Sequence, residues 1–190
     1  LGSRLPTRMH LIGWSLGGEL ALALAQRVPE RITSLTLIGS TPSFMNRTDW
    51  SAGQPASLID DFDQRLATNP TALLKRFSML IRHGDAEAGR DRALAEVLSQ
   101  MNDTDSDRLA AGLSLLREID LRAAAATIQT PTLLIHGKQD AVVPFAASEW
   151  LARTLSRAEL LEIGNASHAL PLTHAADTAN WIADRIGVPA

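Results

Sequence analysis

The sequence G-W-S-L-G at residues 13–17 is the feature that most constrains how this chain can fold. It follows a short apolar run at 9–13, whose length and flanking glycine predict a buried strand. It precedes a run rich in alanine and leucine, which predicts a helix over 16–28. A serine between two glycines on a strand-to-helix turn is typical of a nucleophile elbow, in which a strained turn exposes the hydroxyl group. The alternative interpretation of Ser15 is a capping residue on an ordinary glycine-rich turn.

Asp140 and His168 are the predicted partners of Ser15. A serine nucleophile needs a base, the base needs an orienting carboxylate, and in this class of site the chain order is serine, acid, histidine. Asp140 follows a predicted strand at 132–136, and His168 follows one at 159–163. Both side chains therefore fall at the carboxyl ends of strands, where sites of open α/β sheets gather. Other histidines and acids fit these roles less well because they lie within strands, on helices or in the helical segment: His10, His83, His136, His174, Asp120, Asp177 and Asp184.

The oxyanion of the tetrahedral intermediate needs two backbone donors. The residue after the nucleophile supplies one of them, so the sequence predicts the N–H of Leu16 as the first donor. The second donor comes from a loop after an earlier strand. No such strand precedes residue 9 in this chain.

Predicted strands and helices alternate at both ends of the chain. A second strand is predicted at 32–39, and helices are predicted at 144–155 and 172–186. This alternation predicts a mostly parallel sheet of the α/β class. The middle of the chain carries only helical patterns, at 58–67, 71–81, 87–101 and 106–117. We therefore predict a core formed by 1–42 and 121–190, with an all-helical insertion at 43–120.

The composition excludes several other classes of protein. The 190 residues include no cysteine, which excludes a disulfide scaffold, a thiolate metal site and a cysteine nucleophile. The formal charge of −3 argues against nucleic-acid binding, and no apolar run approaches the roughly 18 residues needed to cross a bilayer. Dinucleotide, P-loop and zinc-protease motifs are missing, as is a signal peptide. We expect a cytoplasmic protein without a metal or cofactor.

Several longer segments carry a resemblance to a known family: IGWSLGGELALALAQRVPERI, LTLIGSTPSF followed by Trp50, LLREIDLR, PTLLIHGKQDAVVP and NASHALPLTHA. With these segments the chain resembles the α/β-hydrolase superfamily over its whole length. Within that superfamily it resembles the pimeloyl-[acyl-carrier protein] methyl ester carboxylesterases of biotin synthesis. The G-x-S-x-G and H-G-x-x-D patterns occur throughout the superfamily, whereas GWSLGG, STPSF and L-x-x-x-D-L-R are more particular to this family.

The resemblance implies an α/β-hydrolase fold with a helical cap, and a serine carboxylesterase that acts through an acyl-enzyme. It implies the triad Ser15, Asp140 and His168. It implies oxyanion and substrate contacts at Leu16, Trp14, Phe77, Ser78, Met79, Leu80 and Ile81, the last five lining an acyl channel. Ordinary helix packing is the competing explanation for these cap residues.

The resemblance also implies a docking surface for acyl-carrier protein, formed by the cap arginines Arg76, Arg90 and Arg92. Lys75 and Arg82 are neighbours of this basic cluster, and a solvated helix face is the alternative. A basic patch would steer an acidic partner towards the cap. Two groups of acidic residues in the cap would repel that partner: Asp60, Asp61, Asp63 and Asp103, Asp105, Asp107.

The sequence departs from the family at its start, because the family's N-terminal strands and His-Gly oxyanion loop are missing. Either the sequence is a fragment of a longer product or a second chain completes the sheet; we expect the fragment, with a full-length product that is monomeric. In the fragment the strand at 9–13 becomes an exposed apolar edge, so the 190 residues alone should show little esterase activity and poor solubility. Two other functions stay open: a general hydrolase of small esters or C–C bonds, and an inactive hydrolase-fold binding module.

Overall fold

A parallel sheet of four strands lies at the centre of the computed structural model, which describes residues 5–86, 88, 92–100 and 105–187. Its strands are β1 (Met9–Trp14), β2 (Ile32–Ile38), β3 (Thr132–Gly137) and β4 (Ala158–Ile163), and they pair in that order. Every pairing is parallel, as the alternation of strands and helices predicts. The carboxyl ends of β1, β3 and β4 therefore lie along one edge, and the residues that follow them can meet there.

Helices connect the strands on both sides of the sheet. They are α1 (Leu16–Arg27), α6 (Arg122–Ala125), α7 (Phe145–Thr154), α8 (Leu170–Thr173) and α9 (Ala175–Ile186), with a single 3₁₀ turn at Pro29–Arg31. None of the described helices is long and apolar enough to cross a bilayer. The helix predicted at 172–186 is in fact two helices, because His174 has non-helical dihedral angles between them. Pro171 occupies the first turn of α8, a position where its missing N–H costs no hydrogen bond.

Four helices lie between β2 and β3: α2 (Ala56–Thr68), α3 (Pro70–Arg82), α4 (Arg92–Gln100) and α5 (Ser106–Glu118). Three of them match the predicted ranges to within two residues at each end. The predicted helix at 87–101 extends partly outside the described residues, and α4 is the part that the structure describes. The turn between α2 and α3 forms because the side chain of Asn69 accepts the N–H of Ala72 and Pro70 opens the next helix.

Apolar side chains form separate clusters on the two faces of the sheet and beneath the four helices. One face of the sheet packs against α1 and α7 through residues such as Leu22, Leu35 and Leu151. The other face packs against the C-terminal helices, with Ile135 at its centre. The cluster beneath α2–α5 includes Phe62. It lies above the carboxyl edge of the sheet, next to the residues that follow the strands.

The edge of the sheet formed by β1 carries exposed apolar side chains. Ile12 on β1 and Leu20 on α1 are each 48% exposed. A shallow apolar groove runs beside them and is lined in part by Leu11 and Leu24. An unpaired strand edge with apolar side chains favours association with other chains.

Candidate active site

Ser15 lies on a strained turn between β1 and α1. Its φ of 55° is the only positive value of a non-glycine residue in the described part of the chain. Two hydrogen bonds hold this conformation: the Ser15 N–H donates to the carbonyl of Ile38 at 3.0 Å, and the Ser40 hydroxyl donates to the carbonyl of Ser15 at 2.9 Å. Strain of this kind persists where the surrounding structure fixes it, commonly at functional sites. The elbow has the geometry that the 13–17 motif predicts.

Glycines let the elbow close tightly. A Cβ atom at Gly13 would collide with the backbone of Gly17 and Gly18, so α1 approaches β1 more closely than a side chain allows. A Cβ atom at Gly18 would collide with the side chain of Ser40, which holds the Ser15 carbonyl. Leu16 is the first residue of α1, and its N–H belongs to the first turn, where no intrahelical acceptor exists.

Asp140 and His168 form a buried pair. The Nδ1 atom of His168 lies 2.7 Å from Oδ2 of Asp140, and each side chain is only 1% exposed. The other oxygen of Asp140, Oδ1, accepts the N–H groups of Val142 and Val143 at 2.8 Å each. Burial alone would raise the pKa of Asp140, but the nearby His168 and a hydrogen bond from His136 outweigh it and lower this pKa well below the usual range. The carboxylate is therefore ionised and fixed in orientation.

His136 is a second imidazole beside the same carboxylate, and the sequence analysis assigned it no role. Its Nε2 atom lies 3.3 Å from Oδ2 of Asp140 and 3.0 Å from the carbonyl oxygen of Val143. Its Nδ1 atom lies 2.6 Å from the hydroxyl oxygen of Ser148 on α7. With a proton on Nε2 the ring donates towards Asp140 and Val143, while Nδ1 accepts the hydroxyl group of Ser148. The H-G-x-x-D spacing is the sequence feature that could have identified His136, because it places this histidine four residues before Asp140.

Trp14 and Gly39 join the elbow to the Asp140–His168 pair. The indole N–H of Trp14 donates to the carbonyl of His168 at 3.1 Å, and the two rings lie 5.6 Å apart. Gly39, with φ of 49°, is so close that a Cβ atom on it would lie 3.2 Å from Oδ2 of Asp140. Trp14 does not line the cavity described next, so its substrate contact stays a prediction, and its indole N–H supports the histidine loop.

Ser15 and Leu16 open into a cavity of about 330 Å³ between the sheet and the helices above it. Its other lining residues are Phe44, Leu58, Phe62, Leu73, Leu74, Phe77, Leu80, Arg108, Leu109, Gly112, Leu113, Leu116 and Val142. The lining is almost entirely apolar, which suits an alkyl chain. Only two of these cap residues, Phe77 and Leu80, are among the predicted substrate contacts, since the contribution of the others depends on how α2 and α5 pack.

The stretch 77–81 on α3 only partly lines the cavity. Phe77 and Leu80 do so, whereas Ser78, Met79 and Ile81 do not. Met79 is 64% exposed, and Ile81 is 2% exposed within the core. Consecutive residues of a helix point in different directions, so five in a row cannot share one wall, and the substrate contacts of these three residues stay a prediction.

The predicted cluster of cap arginines is only partly described. Arg76 on α3 is ion-paired with Asp61 at 2.9 Å, and Asp61 also binds Arg65 at 2.9 Å. Arg92 is exposed on α4, and Arg90 lies outside the described residues. Asp60 and Asp63 on α2 are bound by Arg117 of α5 at 2.9 and 2.7 Å, so part of the expected acidic repulsion is neutralised.

Hydrogen bonds connect the helical segment to both loops of the Asp140–His168 pair. The side-chain amide of Gln54, just before α2, donates to the carbonyls of Ala141 and Val142 at 3.1 and 2.9 Å. At the end of α3, the carbonyl of Ile81 accepts the N–H of Ala169 at 3.0 Å.

Asp85 makes further connections at the end of α3. It accepts the hydroxyl groups of Ser167 and Thr173 at 3.4 and 3.1 Å. The helical segment is thus bonded to the residues on either side of His168.

Glu19 is a buried carboxyl group one turn after Ser15 on α1. It is fully inaccessible to solvent, and burial raises its pKa to about 8. The backbone N–H of Phe44 and the charge of Arg47 lower this pKa only in part. Glu19 is therefore mostly protonated at neutral pH. The sequence does not distinguish Glu19, since the residue lies in an apparently regular apolar helix.

The described residues contain no group of three or more His, Cys, Asp or Glu side chains arranged to hold a metal ion. What they bring together is a strained serine, the first amide of a helix, and a buried Asp–His pair beside an apolar cavity. Such a set of groups can support attack of a hydroxyl group on a carbonyl carbon.

Comparison with known proteins places this geometry in a family. A family model for the alpha/beta hydrolase fold matches residues 6–175. A solved esterase from Exiguobacterium antarcticum superposes with a TM-score of 0.86 at 22% identity, covering 95% of this chain and 67% of that one. An enol-lactonase from Burkholderia xenovorans gives a TM-score of 0.83 at 23% identity, covering 95% and 66%. These matches confirm the predicted fold.

Two curated relatives assign the chain to a more specific group within this family. The pimeloyl-[acyl-carrier protein] methyl ester esterase of Aromatoleum aromaticum is 40% identical over 186 residues, which cover 95% of this chain and 74% of that protein. The enzyme of the same name from Nitrosomonas europaea is 38% identical over 170 residues, covering 89% and 68%. The chain therefore belongs to the α/β-hydrolase family and, within it, to the family of the pimeloyl-[acyl-carrier protein] methyl ester esterases.

Proposed function

We propose that this protein is a serine carboxylesterase that hydrolyses the methyl ester of pimeloyl-[acyl-carrier protein] in biotin synthesis. The names of its relatives support the substrate. The observation that carries the proposal is the buried 2.7 Å contact between His168 and Asp140, joined through Trp14 to the strained Ser15. Ser15 itself opens into an apolar cavity, as a nucleophile for an acyl ester requires.

The proposed chemistry has two steps. His168 takes the hydroxyl proton of Ser15 while the oxygen attacks the ester carbonyl, and then gives that proton to the departing methanol. The resulting acyl-enzyme is hydrolysed when His168 takes a proton from water and returns it to Ser15. Asp140 keeps the Nδ1 proton of His168 in place and stabilises the imidazolium formed in each step.

Leu16 is the proposed oxyanion donor. Its N–H lies at the start of α1, where the helix dipole also favours negative charge. Loss of one such donor typically lowers the rate by about 10² to 10³. The amide is therefore a major part of the proposed machinery, although no side-chain substitution removes it.

The helical segment 43–120 is proposed to be a cap that holds the pimeloyl chain. Phe77 and Leu80 from α3 and Leu113 from α5 provide apolar walls. Each buried methylene contributes about 0.8 kcal/mol to binding, so the cavity distinguishes a long acyl chain from an acetyl group.

Carrier protein is proposed to dock on the outer surface of the cap. Arg76 and Arg92 are exposed there, and Arg90, which lies outside the described residues, is included from the family resemblance alone. Positive side chains would speed encounter with an acidic partner, and added salt would slow it. The ion pair with Asp61 partly neutralises Arg76 and so reduces its attraction for an acidic partner. Substitution of Arg92 is therefore the better test of carrier docking.

The experiment is labelling and turnover with the full-length protein. A fluorophosphonate probe should label the wild type and leave Ser15→Ala unlabelled. Pimeloyl-[acyl-carrier protein] methyl ester should be hydrolysed with a higher kcat/KM than a short p-nitrophenyl ester. Labelling with a preference for the short ester would indicate a general hydrolase, and the absence of labelling would indicate a binding module.

A further inference from the structure

Helix α5 presents one continuous face to the cavity. The residues that line it are Arg108, Leu109, Gly112, Leu113 and Leu116. Their spacing is that of a single helical stripe, which in a helix facing an apolar space is expected to be apolar throughout. Four of the positions follow this rule, and Arg108 breaks it.

Arg108 is the one charged residue among those that line the cavity in the described part of the chain. Its side chain is exposed, and no described carboxylate lies within ion-pair distance of it. Other arginines of the same segment are neutralised, since Arg65 and Arg76 bind Asp61 and Arg117 binds Asp60 and Asp63. Arg108 thus keeps its hydrogen-bond donors available at an apolar wall.

The position of Arg108 along α5 places it at a distance from the nucleophile. A Cβ atom on Gly112 would lie 3.9 Å from the side chain of Leu16, the residue after Ser15. Arg108 precedes Gly112 by one helical turn, which moves it about 5–6 Å along the axis. An acyl chain that extends from Ser15 along the stripe of α5 therefore meets an apolar wall first and a cation at its far end.

We propose that Arg108 forms an anion subsite, so that the preferred substrates are esters whose apolar acyl chain ends in a negatively charged group. The planar guanidinium binds oxyanions through paired, charge-assisted hydrogen bonds. This inference rests on the proposed function, because that function identifies the acyl chain. The anion is then either a free carboxylate at the far end of a half-ester, or the phosphodiester of the carrier protein's thioester arm.

The test compares substrates of equal length and different charge, using full-length wild type and Arg108→Met. Monomethyl pimelate carries a carboxylate at its far end, and dimethyl pimelate is its neutral counterpart. Arg108→Met should raise KM for the anionic half-ester about tenfold, the effect of roughly 1.4 kcal/mol, with kcat unchanged. KM for the diester should change less than twofold. Arg153→Met, which removes an exposed arginine from α7, serves as the matched control and should change neither value.

The carrier-bound methyl ester provides the third arm. A rise in KM for the pimeloyl methyl ester both on the carrier and on free phosphopantetheine identifies the phosphodiester as the anion, and a rise confined to the half-ester identifies the carboxylate. A rise confined to the carrier-bound ester would indicate docking of the carrier protein and overturn the subsite. Equal rises for the half-ester and the diester, or no rise for any substrate, would overturn the subsite. If wild type does not hydrolyse the carrier-bound ester at all, the proposed function fails, while the comparison of half-ester and diester still tests Arg108.

Discussion

The Nε2 atom of His136 lies 3.3 Å from Oδ2 of Asp140, the same oxygen that lies 2.7 Å from His168. One carboxylate oxygen therefore serves two imidazole rings. Ser148 fixes the orientation of His136 from the other side of the ring, at 2.6 Å. This arrangement ties Asp140 to α7. In the proposed mechanism it gives His136 a positioning role, since the ring reaches the reacting atoms only through Asp140 and His168.

Replacement of His136 should lower kcat more than it changes KM. His136→Phe keeps the ring volume but removes the donor to Asp140, and loss of one hydrogen bond to a charged group costs about 1.5–3 kcal/mol, roughly a tenfold to hundredfold loss of rate. His136→Gln retains an N–H donor and should recover part of that loss. Steady-state kinetics on a short ester provide the measurement. Equal losses in the two variants would show that the donor is unimportant.

Glu19 should make stability depend on pH. Its pKa is raised from 4.5 to about 8, so the folded chain holds a proton that the unfolded chain has already lost between these values. Stability therefore falls as pH rises from about 4.5 to about 8, by at most about 1.4 kcal/mol per pH unit, and then levels off.

Glu19→Gln removes this titration. The difference in Tm, variant minus wild type, should therefore increase as the pH rises towards about 8 and stay constant above that pH. Thermal melts at intervals from pH 5 to pH 9 measure the difference. Glu96→Gln, at an exposed position on α4, is the control and should show no such trend. A difference independent of pH for Glu19→Gln would mean that Glu19 does not carry the proton.

Gly39 should not tolerate a side chain. Gly39→Ala places a Cβ atom 3.2 Å from Oδ2 of Asp140 and 3.3 Å from Nδ1 of His168, at a φ of 49°. We expect a loss of about 1–3 kcal/mol in the free energy of unfolding from the backbone strain, together with reduced kcat. Gly164→Ala is the matched control, because a Cβ atom there meets nothing within 4 Å. Urea unfolding and esterase kinetics should separate the two variants, and similar behaviour would contradict the geometry.

Phe77 should influence which chain lengths are hydrolysed. Phe77→Ala removes an apolar wall and should lower kcat/KM for a pimeloyl ester about tenfold, while an acetyl ester, which does not reach the wall, changes little. Met79→Ala, two residues along the same helix but 64% exposed, should leave the ratio of the two substrates unchanged. A change of ratio in Met79→Ala, or none in Phe77→Ala, would indicate that α3 faces the substrate differently.

The elbow and the Asp140–His168 pair are predictable from the sequence because their signals are local. Glycines around Ser15 mark the turn, and a position just after a strand marks each of the other two residues. Which side chains of α3 face the cavity is not local information, since it depends on how α2 and α5 pack against that helix. Met79 and Phe77 are both apolar, and only the packed structure separates them.

Burial likewise escapes sequence reasoning. Glu19 resembles any first-turn acid of a helix, a place where carboxylates are common on exposed surfaces. Its raised pKa arises from burial, and the residues that partly offset the rise, Phe44 and Arg47, lie beyond the next strand in the chain. The spacing H-G-x-x-D places His136 near Asp140, but the contact with Ser148 that orients its ring depends on how α7 packs.

The helical segment helps to hold Asp140 and His168 in position. Gln54 is hydrogen-bonded to the Asp140 loop, and Ile81 and Asp85 are hydrogen-bonded to the His168 loop. If the whole helical segment moved away from the sheet as a rigid body, it would pull both loops with it and separate Asp140 and His168 from Ser15. Ligand exchange should therefore proceed by local movements of side chains and helices around the cavity. The hydrogen bonds from Gln54, Ile81 and Asp85 should stay intact throughout the catalytic cycle.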